Sequence, residues 1–270
     1  MRDIGEPSRT EAEPASERVN VSDQLKAVAA RSPNRRAVIA PIGRDHAGRV
    51  TYAHLTFRQL DAESDRIAHG MVHAGITRGT RTIVMVRPCL DFFALTFAFF
   101  KVGAVPVMVD PGMGLKRMLN CLAESRAEAL IGIPPAHVLR TFAPRYFKTV
   151  KTWVTVGKRW FWGGHTLADL RQVDASPFAV PDTRGDETAA ILFTTGSTGP
   201  AKGVRYTHGV FDAQVRAIGE HFDFQPDDID LPTFPLFSLF DPALGMAAVI
   251  PDMDPTKPAE VDPEKVIEAV

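Results

Sequence analysis

Short apolar segments rich in β-branched residues alternate along the chain with segments whose apolar residues recur at a helical period. Residues 81–86 predict a buried strand, residues 92–102 a helix, and residues 104–109 a second strand. Parallel strands need a crossover connection, which is usually a helix, so these three segments predict one βαβ unit. The same alternation over the rest of the chain predicts an α/β fold with mostly parallel sheets flanked by helices.

Composition shifts divide the chain into three parts. Residues 1–20 are polar and charged and have no apolar core, so they predict a disordered tail and not a signal peptide. A helix is predicted to begin near Val21. Residues 175–186 are rich in Pro, Asp and Ser and suit a connection. We therefore predict a first α/β subdomain over 21–180 and the start of a second over 181–270.

The last predicted helix has a clear beginning and no end signal. Asp262 is a good N-cap and Pro263 suits the first helical position, and the helix then runs to Val270 without a terminating residue. This pattern predicts that the second subdomain is truncated at residue 270 and that the chain is the N-terminal part of a longer protein.

Charge and apolar patterning exclude several classes of protein. The net charge of −1 disfavours nucleic-acid binding driven by charge. The apolar stretch 92–109 is interrupted by a lysine, a glycine and a proline, so no transmembrane segment is predicted. Cys89 and Cys121 have no metal-like spacing and are expected to be buried and inert. This cysteine usage suits a reducing compartment, so a cytoplasmic location is expected.

A loop rich in glycine and hydroxyl residues follows the strand predicted over 189–193. Its glycines allow backbone N–H groups to converge on an anion, its hydroxyls add donors, and its lysine adds a positive charge. These residues are Thr194, Thr195, Gly196, Ser197, Thr198, Gly199 and Lys202. They predict a site for a triphosphate or pyrophosphate. The alternative is a flexible linker with a chance lysine, and a Walker A loop is disfavoured because Gly203 follows the lysine.

The loop closely resembles the signature loop of the adenylate-forming superfamily, which includes acyl-CoA synthetases, peptide-synthetase adenylation domains and luciferases. The usual pattern is Thr-Ser-Gly-Thr-Thr-Gly-x-Pro-Lys-Gly-Val, and residues 194–204 keep every hydroxyl position while the proline moves by one place. Residues 55–60 (LTFRQL) resemble the early LTYREL motif, and residues 101–111 resemble LKAGGAYVPLDP. Thr207-His208 resembles the Ser-His pair after the loop. The resemblance runs from about Val21 to Val270.

The resemblance implies the N-terminal part of the large domain of an adenylate-forming enzyme. It implies ATP as a substrate, with the loop holding the β- and γ-phosphates and Mg²⁺ bridging them. The acidic Mg²⁺-binding motif, the ribose-binding aspartate and the catalytic lysine of the superfamily would all lie beyond Val270, so no catalytic or metal-binding residue is expected within this chain.

Within the superfamily, residues 193–215 and 234–258 resemble the β-lactone synthetases of bacterial olefin biosynthesis. Ser238 stands where many acyl-activating relatives have a His or aromatic residue, which argues against an ordinary acyl-CoA ligase. This resemblance implies ATP-dependent activation of a long-chain β-hydroxy fatty acid as an acyl-adenylate, followed by ring closure to a β-lactone with release of AMP and pyrophosphate. The expected partners are the lipid acid and other enzymes of the same lipid pathway. Two alternatives stay open: a long-chain fatty acid–CoA ligase or acyl-AMP ligase, and a non-catalytic nucleotide- or acyl-binding fragment.

His208, Phe237 and Ser238 are candidates for a nucleotide or acyl pocket. His208 could equally cap or pack at the start of the next helix, and Phe237 could belong to the core, as could Phe234 and Phe240. The aromatic run 160–162 could face a partner or a membrane surface, although packing on its own sheet is favoured.

Overall fold

The structure is a computed structural model of the protein that describes residues 18–194, 201–232, 237–254, 257 and 260–270. Residues 1–17 of the predicted tail lie outside the described residues. Arg18 forms an isolated antiparallel bridge with Arg184. The Asn20 side chain caps the first helix by accepting a hydrogen bond from the Ser22 N–H at 3.0 Å. The chain is therefore already part of the fold at residue 18.

Strands and helices alternate along the described residues. The strands are β1 (Arg36–Arg44), β2 (Val50–Thr56), β3 (Arg81–Met85), β4 (Val105–Val109), β5 (Ala129–Gly132), β6 (Thr152–Thr155), β7 (His165–Thr166), β8 (Thr188–Thr194), β9 (Lys202–Thr207), β10 (Ile229–Asp230) and β11 (Ala247–Val249). The α-helices are α1 (Val21–Arg31), α2 (Phe57–His73), α3 (Leu90–Val102), α4 (Leu115–Glu124), α5 (Pro134–Phe142), α6 (Leu167–Leu170), α7 (His208–Phe222), α8 (Asp241–Leu244) and α9 (Pro263–Ile267). Three short 3₁₀ helices cover Pro111–Met113, Pro144–Tyr146 and Phe237–Leu239.

A seven-stranded sheet has the strand order β7-β6-β5-β3-β4-β8-β9. Every neighbouring pair in it is parallel except β8 and β9, which form an antiparallel hairpin. The helices α3, α4 and α5 connect the parallel strands, because two parallel strands cannot be joined by a tight turn. The prediction of mostly parallel sheets flanked by helices is confirmed.

A second sheet has four strands in the order β10-β11-β1-β2. β1 pairs antiparallel with β2 and parallel with β11, with Val38 opposite Ala248. In the seven-stranded sheet, β4 pairs with β8, with Val107 opposite Ile191. Strand pairing thus crosses residue 180 in both sheets. The predicted division into subdomains at that residue stays a prediction.

The apolar stretch 92–109 forms a buried helix followed by a buried strand, as predicted. Every residue of α3 from Phe92 to Val102 is buried. Lys101 is among them, and its ammonium group lies 2.6 Å from a carboxylate oxygen of Asp61 and 2.6 Å from one of Asp65. A buried charge needs such partners, and this one joins α3 to α2. Among the described residues, no helix is both long and apolar enough to cross a membrane.

The motif at residues 55–60 has a structural role at the start of α2. The Thr56 hydroxyl accepts a hydrogen bond from the Gln59 N–H at 3.3 Å, and the Gln59 side-chain oxygen accepts one from the Thr56 N–H at 2.9 Å. This capping box satisfies backbone donors that a helix N-terminus leaves without partners. The apolar residues of 60–74 recur at a helical period and predict a helix that begins at Leu60. The observed helix begins three residues earlier, at Phe57.

Two further expectations need correction. Cys121 is buried as expected, but Cys89 is only partly buried. Burial raises the pKa of both thiols, which makes the reactive thiolate scarcer. At the C-terminus Asp262 caps α9 as predicted, yet the helix ends at Ile267 and does not continue to Val270.

Candidate functional site

The ends of the predicted phosphate loop are held together by the β8–β9 hairpin. Thr194 and Lys202 are opposite each other in the antiparallel register. The intervening predicted residues, Thr195, Gly196, Ser197, Thr198 and Gly199, lie outside the described residues. β8 runs parallel to β4, so the loop leaves the carboxyl end of the sheet. Ligands of open α/β sheets bind at this end.

Lys202 is exposed at the first position of β9. The next residue, Gly203, lies opposite the buried Phe193. A Cβ atom at Gly203 would lie 3.0 Å from the Phe193 Cζ atom, closer than almost all real contacts of this kind. The absence of a side chain at Gly203 therefore lets β9 pass close over the phenyl ring.

Asp110 follows β4 directly and lies beside the same hairpin. Its N–H donates to the Phe193 carbonyl oxygen at 3.4 Å, and its carboxylate accepts a hydrogen bond from the Gly112 N–H at 2.8 Å. An exposed carboxylate thus stands at the carboxyl edge of the sheet, next to the strand that leads into the loop.

His208 is the first residue of α7 and is buried. Its ring packs edge-on against Phe100, with ring centroids 6.2 Å apart. Burial lowers the pKa of His208 to about 4, although the nearby Glu187 carboxylate raises it in part. The imidazole is therefore neutral near pH 7, and its Nδ1 has no hydrogen-bond partner within the described part of the chain. Glu187 itself is paired with Arg78.

Ser238 precedes α8 by three residues, and Asp241 is the first residue of that helix. Ser238 is buried in the 3₁₀ helix that also contains Phe237, and Asp241 begins α8 with an exposed fraction of 5%. Burial, together with the Asp230 carboxylate that is hydrogen-bonded to it, raises the pKa of Asp241 to about 8. Its Oδ2 atom has no hydrogen-bond partner among residues that the structure describes. Phe234 lies outside them.

Three aromatic side chains join the hairpin to this buried segment. Tyr206 of β9 stacks on Phe211 of α7 with ring centroids 5.3 Å apart. Phe211 in turn contacts Phe240, 5.6 Å away and next to α8. The end of β9 that leads into α7 and the segment that contains Phe240 are therefore packed against one residue of α7. Phe240 is half-buried and packs against the hydrophobic core, which agrees with the interpretation of this residue as part of the core and not of an acyl pocket.

Sequence reasoning missed Asp241. An aspartate before a proline has the appearance of an ordinary helix start. Its neighbour Asp230 lies on β10, which has only two residues and is not recognisable as a strand in the sequence. Within the described ranges there is no group of three or more His, Cys, Asp or Glu side chains that could hold a metal ion.

Comparison with known proteins decides the family. A profile of the AMP-binding enzyme family matches residues 25–251. This chain is an AMP-binding enzyme family member. The match includes the β8–β9 hairpin and the segment around Ser238 and Asp241, so the candidate site lies within the family's own region.

Two curated relatives align with this AMP-binding chain over most of its length. The olefin beta-lactone synthetase of Stenotrophomonas maltophilia (strain K279a) is 48% identical over 256 residues, which cover 93% of this chain and 46% of the relative. The protein of the same name from Xanthomonas campestris pv. campestris is 47% identical over 253 residues, with 93% and 45% covered. The chain therefore spans about half the length of the curated relatives it matches.

A solved structure supports the fold. The inhibitor-bound N-terminal domain of FACL13 from Mycobacterium tuberculosis has a TM-score of 0.73 and 25% identity, with 88% of this chain and 59% of that chain covered. The expected fold, the N-terminal part of the large domain of an adenylate-forming enzyme, is confirmed. The positions of ATP, Mg²⁺ and an acid within it stay predictions.

Proposed function

We propose that the natural gene product activates a long-chain β-hydroxy fatty acid with ATP and closes it to a β-lactone. The observation that supports this most strongly is the 48% identity, over 93% of the chain, to a protein named olefin beta-lactone synthetase. We also propose that other enzymes of the same pathway are partners of the protein and that it is located in the cytoplasm.

In this proposal the β8–β9 hairpin binds the phosphates of ATP. Lys202 places a positive charge at the end of the hairpin, and the residues between the two strands supply hydroxyl and backbone N–H donors. Donors that are fixed before the reaction stabilise the charge that develops on the departing pyrophosphate. Mg²⁺ would neutralise phosphate charge when bound. The described residues contain no side-chain cluster for it, so we assign no step to the metal.

The proposed reaction has two steps. In the first, a carboxylate oxygen of the acid bonds to the α-phosphorus of ATP, the bond to the β-phosphate oxygen breaks, and pyrophosphate leaves. In the second, the 3-hydroxyl oxygen of the same acid bonds to the acyl carbon, loses its proton, and AMP leaves with the former carboxylate oxygen. Buried Ser238 and Asp241 are proposed to border the acyl region, and His208, which is neutral near pH 7, to support it from the core.

The test is product analysis by mass spectrometry on the full natural gene product. The protein is given ATP, Mg²⁺ and a long-chain 3-hydroxy acid, with and without CoA. The expected product is the acid minus one water, formed in equal amounts whether or not CoA is present. An acyl-CoA that forms only with CoA would overturn the lactone proposal in favour of a fatty acid–CoA ligase. The absence of both pyrophosphate and product would instead favour a non-catalytic binding protein.

A further inference from the structure

A loop at one end of the seven-stranded sheet presents aromatic and basic side chains to solvent. This aromatic loop, residues 157–164, connects β6 to β7. Trp160 is 56% exposed and Phe161 is 77% exposed, and Lys158 and Arg159 precede them on the surface. The sequence favours packing of residues 160–162 on their own sheet. This prediction is wrong for Trp160 and Phe161, which are exposed.

The third aromatic residue anchors the loop. Trp162 is buried, its indole N–H donates to the Thr155 hydroxyl at 3.0 Å, and its ring stacks on His137 with centroids 5.2 Å apart. Gly157 and Gly164 adopt positive φ angles at the two ends of the loop. The two exposed rings thus project from an ordered support, and ordering them at a binding surface costs less conformational entropy than ordering a free chain.

The aromatic loop carries two positive charges and no negative one, because Lys158 and Arg159 are its only ionisable residues. Residues 129–168 contain no Asp or Glu, whereas the whole chain has a net charge of −1. The basic residues of this segment are Arg140, Arg145, Lys148, Lys151, Lys158 and Arg159. All but Arg140 are exposed; Lys158 and Arg159 lie in the loop, whereas Arg145, Lys148 and Lys151 precede β6 and do not belong to it. The next acid along the chain, Asp169, caps α6 by accepting a hydrogen bond from the Thr166 N–H at 2.8 Å, and its carboxylate also attracts Arg159, so among the described residues Lys158 is the loop cation without a nearby acid of this kind.

We propose that the aromatic loop binds the surface of a lipid bilayer that contains anionic lipids. Tryptophan is enriched at the level of lipid headgroups because its ring is apolar and its N–H is polar, and Phe161 can enter the adjoining acyl region. Lysine and arginine beside such a wedge are attracted to negative headgroups. The alternative is a protein partner, because Trp, Phe and Arg are also enriched at protein interfaces; Lys158, a residue type that is depleted there, favours the bilayer. The inference is independent of the reaction proposed above.

The test is co-sedimentation of the full natural gene product with vesicles, without ATP or acid. Vesicles of phosphatidylcholine alone are compared with vesicles that also contain phosphatidylglycerol. We expect binding to the anionic vesicles that falls as salt is added. Each lost basic charge near the surface should weaken partitioning by about fivefold, so Lys158→Gln/Arg159→Gln should weaken it by about thirtyfold. Trp160→Ser/Phe161→Ser should also weaken it strongly.

Matched variants separate the loop from a general effect of charge and exposed rings. Lys26→Gln/Arg36→Gln removes two exposed charges elsewhere, and Phe222→Ser/Phe224→Ser removes two exposed rings. Both should bind like the unmodified protein. Equal sedimentation with neutral and anionic vesicles, no sedimentation with either, or equal losses in the loop and control variants would overturn the proposal. Unchanged thermal unfolding of the loop variants would show that a loss of binding is not a loss of folding.

Discussion

Lys202 and Asp241 show how differently the fold treats two ionisable side chains of the candidate site. The Lys202 side chain is exposed at the start of β9, where water solvates its charge. The Asp241 side chain is buried next to the Asp230 carboxylate, so its ionised form is disfavoured. A lysine that contributes no buried contact can be replaced without loss of folding, whereas a change at Asp241 alters stability itself.

We predict that Lys202→Ala lowers ATP-dependent pyrophosphate release by about 10²- to 10³-fold, the usual effect of removing one donor to a developing anion. The melting temperature should not change, because the side chain is exposed. Pyrophosphate release and thermal unfolding of the full natural gene product measure the two effects. Lys26→Ala, an exposed lysine on α1, is the matched control and should leave both unchanged. Unchanged pyrophosphate release in Lys202→Ala would contradict the phosphate-binding role.

A second prediction concerns the pH dependence of stability. The pKa of Asp241 is raised from an ordinary value of 3.8 to about 8, so the folded state binds more protons than the unfolded state between these values. Its contribution is therefore fully present below pH 3.8 and is lost as pH rises through about 8. One such group changes the free energy of unfolding by at most about 1.4 kcal/mol per pH unit.

Asp241→Asn should flatten the decline in stability over this range, because the amide does not ionise. Urea unfolding at several pH values measures it, with Glu124→Gln on the exposed end of α4 as the control that keeps the decline. A decline of the same slope in Asp241→Asn and in the unmodified protein would mean that Asp241 does not titrate in this range.

At the scale of the elements, local patterning predicted which segments form helices and strands. Residues 81–86, 92–102 and 104–109 were assigned to the right types because burial on all sides gives continuous apolar runs. The predicted start of α2 is three residues too late. Its first turn is stabilised by the side chains of Thr56 and Gln59, and these polar residues do not contribute to the apolar helical pattern. The hairpin of β1 and β2 escaped prediction, since Pro41 and the two register shifts interrupt its alternation.

The close approach of α2 and α6 leads to a third prediction. A Cβ atom at Gly70 would lie 2.3 Å from the Leu170 carbonyl oxygen and 2.5 Å from its Cα atom, so Gly70→Ala must push two backbones apart. Alanine favours the helix by about 1 kcal/mol over glycine, whereas overpacking costs typically 1–3 kcal/mol. With backbone atoms in the way, we expect a net loss of about 1–2 kcal/mol.

Urea unfolding measures this loss. Gly163→Ala serves as the matched control, because no atom lies within 4 Å of its Cβ position and its φ is not positive. A Gly70→Ala protein as stable as the control would show that α6 can shift at little cost.

At the scale of the whole molecule, each sheet is completed by strands from beyond residue 180. β8 covers one edge of β4 in the seven-stranded sheet, and β11 lies between β10 and β1 in the other. Val38 on β1 and Val107 on β4 are both fully buried. Removal of the later strands would expose the edges of two central strands, and long exposed edges of this kind favour aggregation.

We therefore predict that a fragment of residues 21–180 unfolds with a broad, weakly cooperative transition and binds a hydrophobic dye, unlike the 270-residue chain. Urea unfolding followed by circular dichroism, together with dye fluorescence, measures both properties. A single sharp transition in the fragment would instead show that the predicted first subdomain folds by itself.

The sequence by itself determined the α/β class and most of the elements, because hydrophobic period and capping residues act within a few residues of each other. It also determined the phosphate-loop prediction and the family, since the motif is contiguous. The tertiary structure alone decided which strands are neighbours, that His208 and Asp241 are buried and that Trp160 and Phe161 are exposed. Each of these depends on groups far apart in the chain, such as β1 with β11, and burial by a distant segment leaves no local pattern.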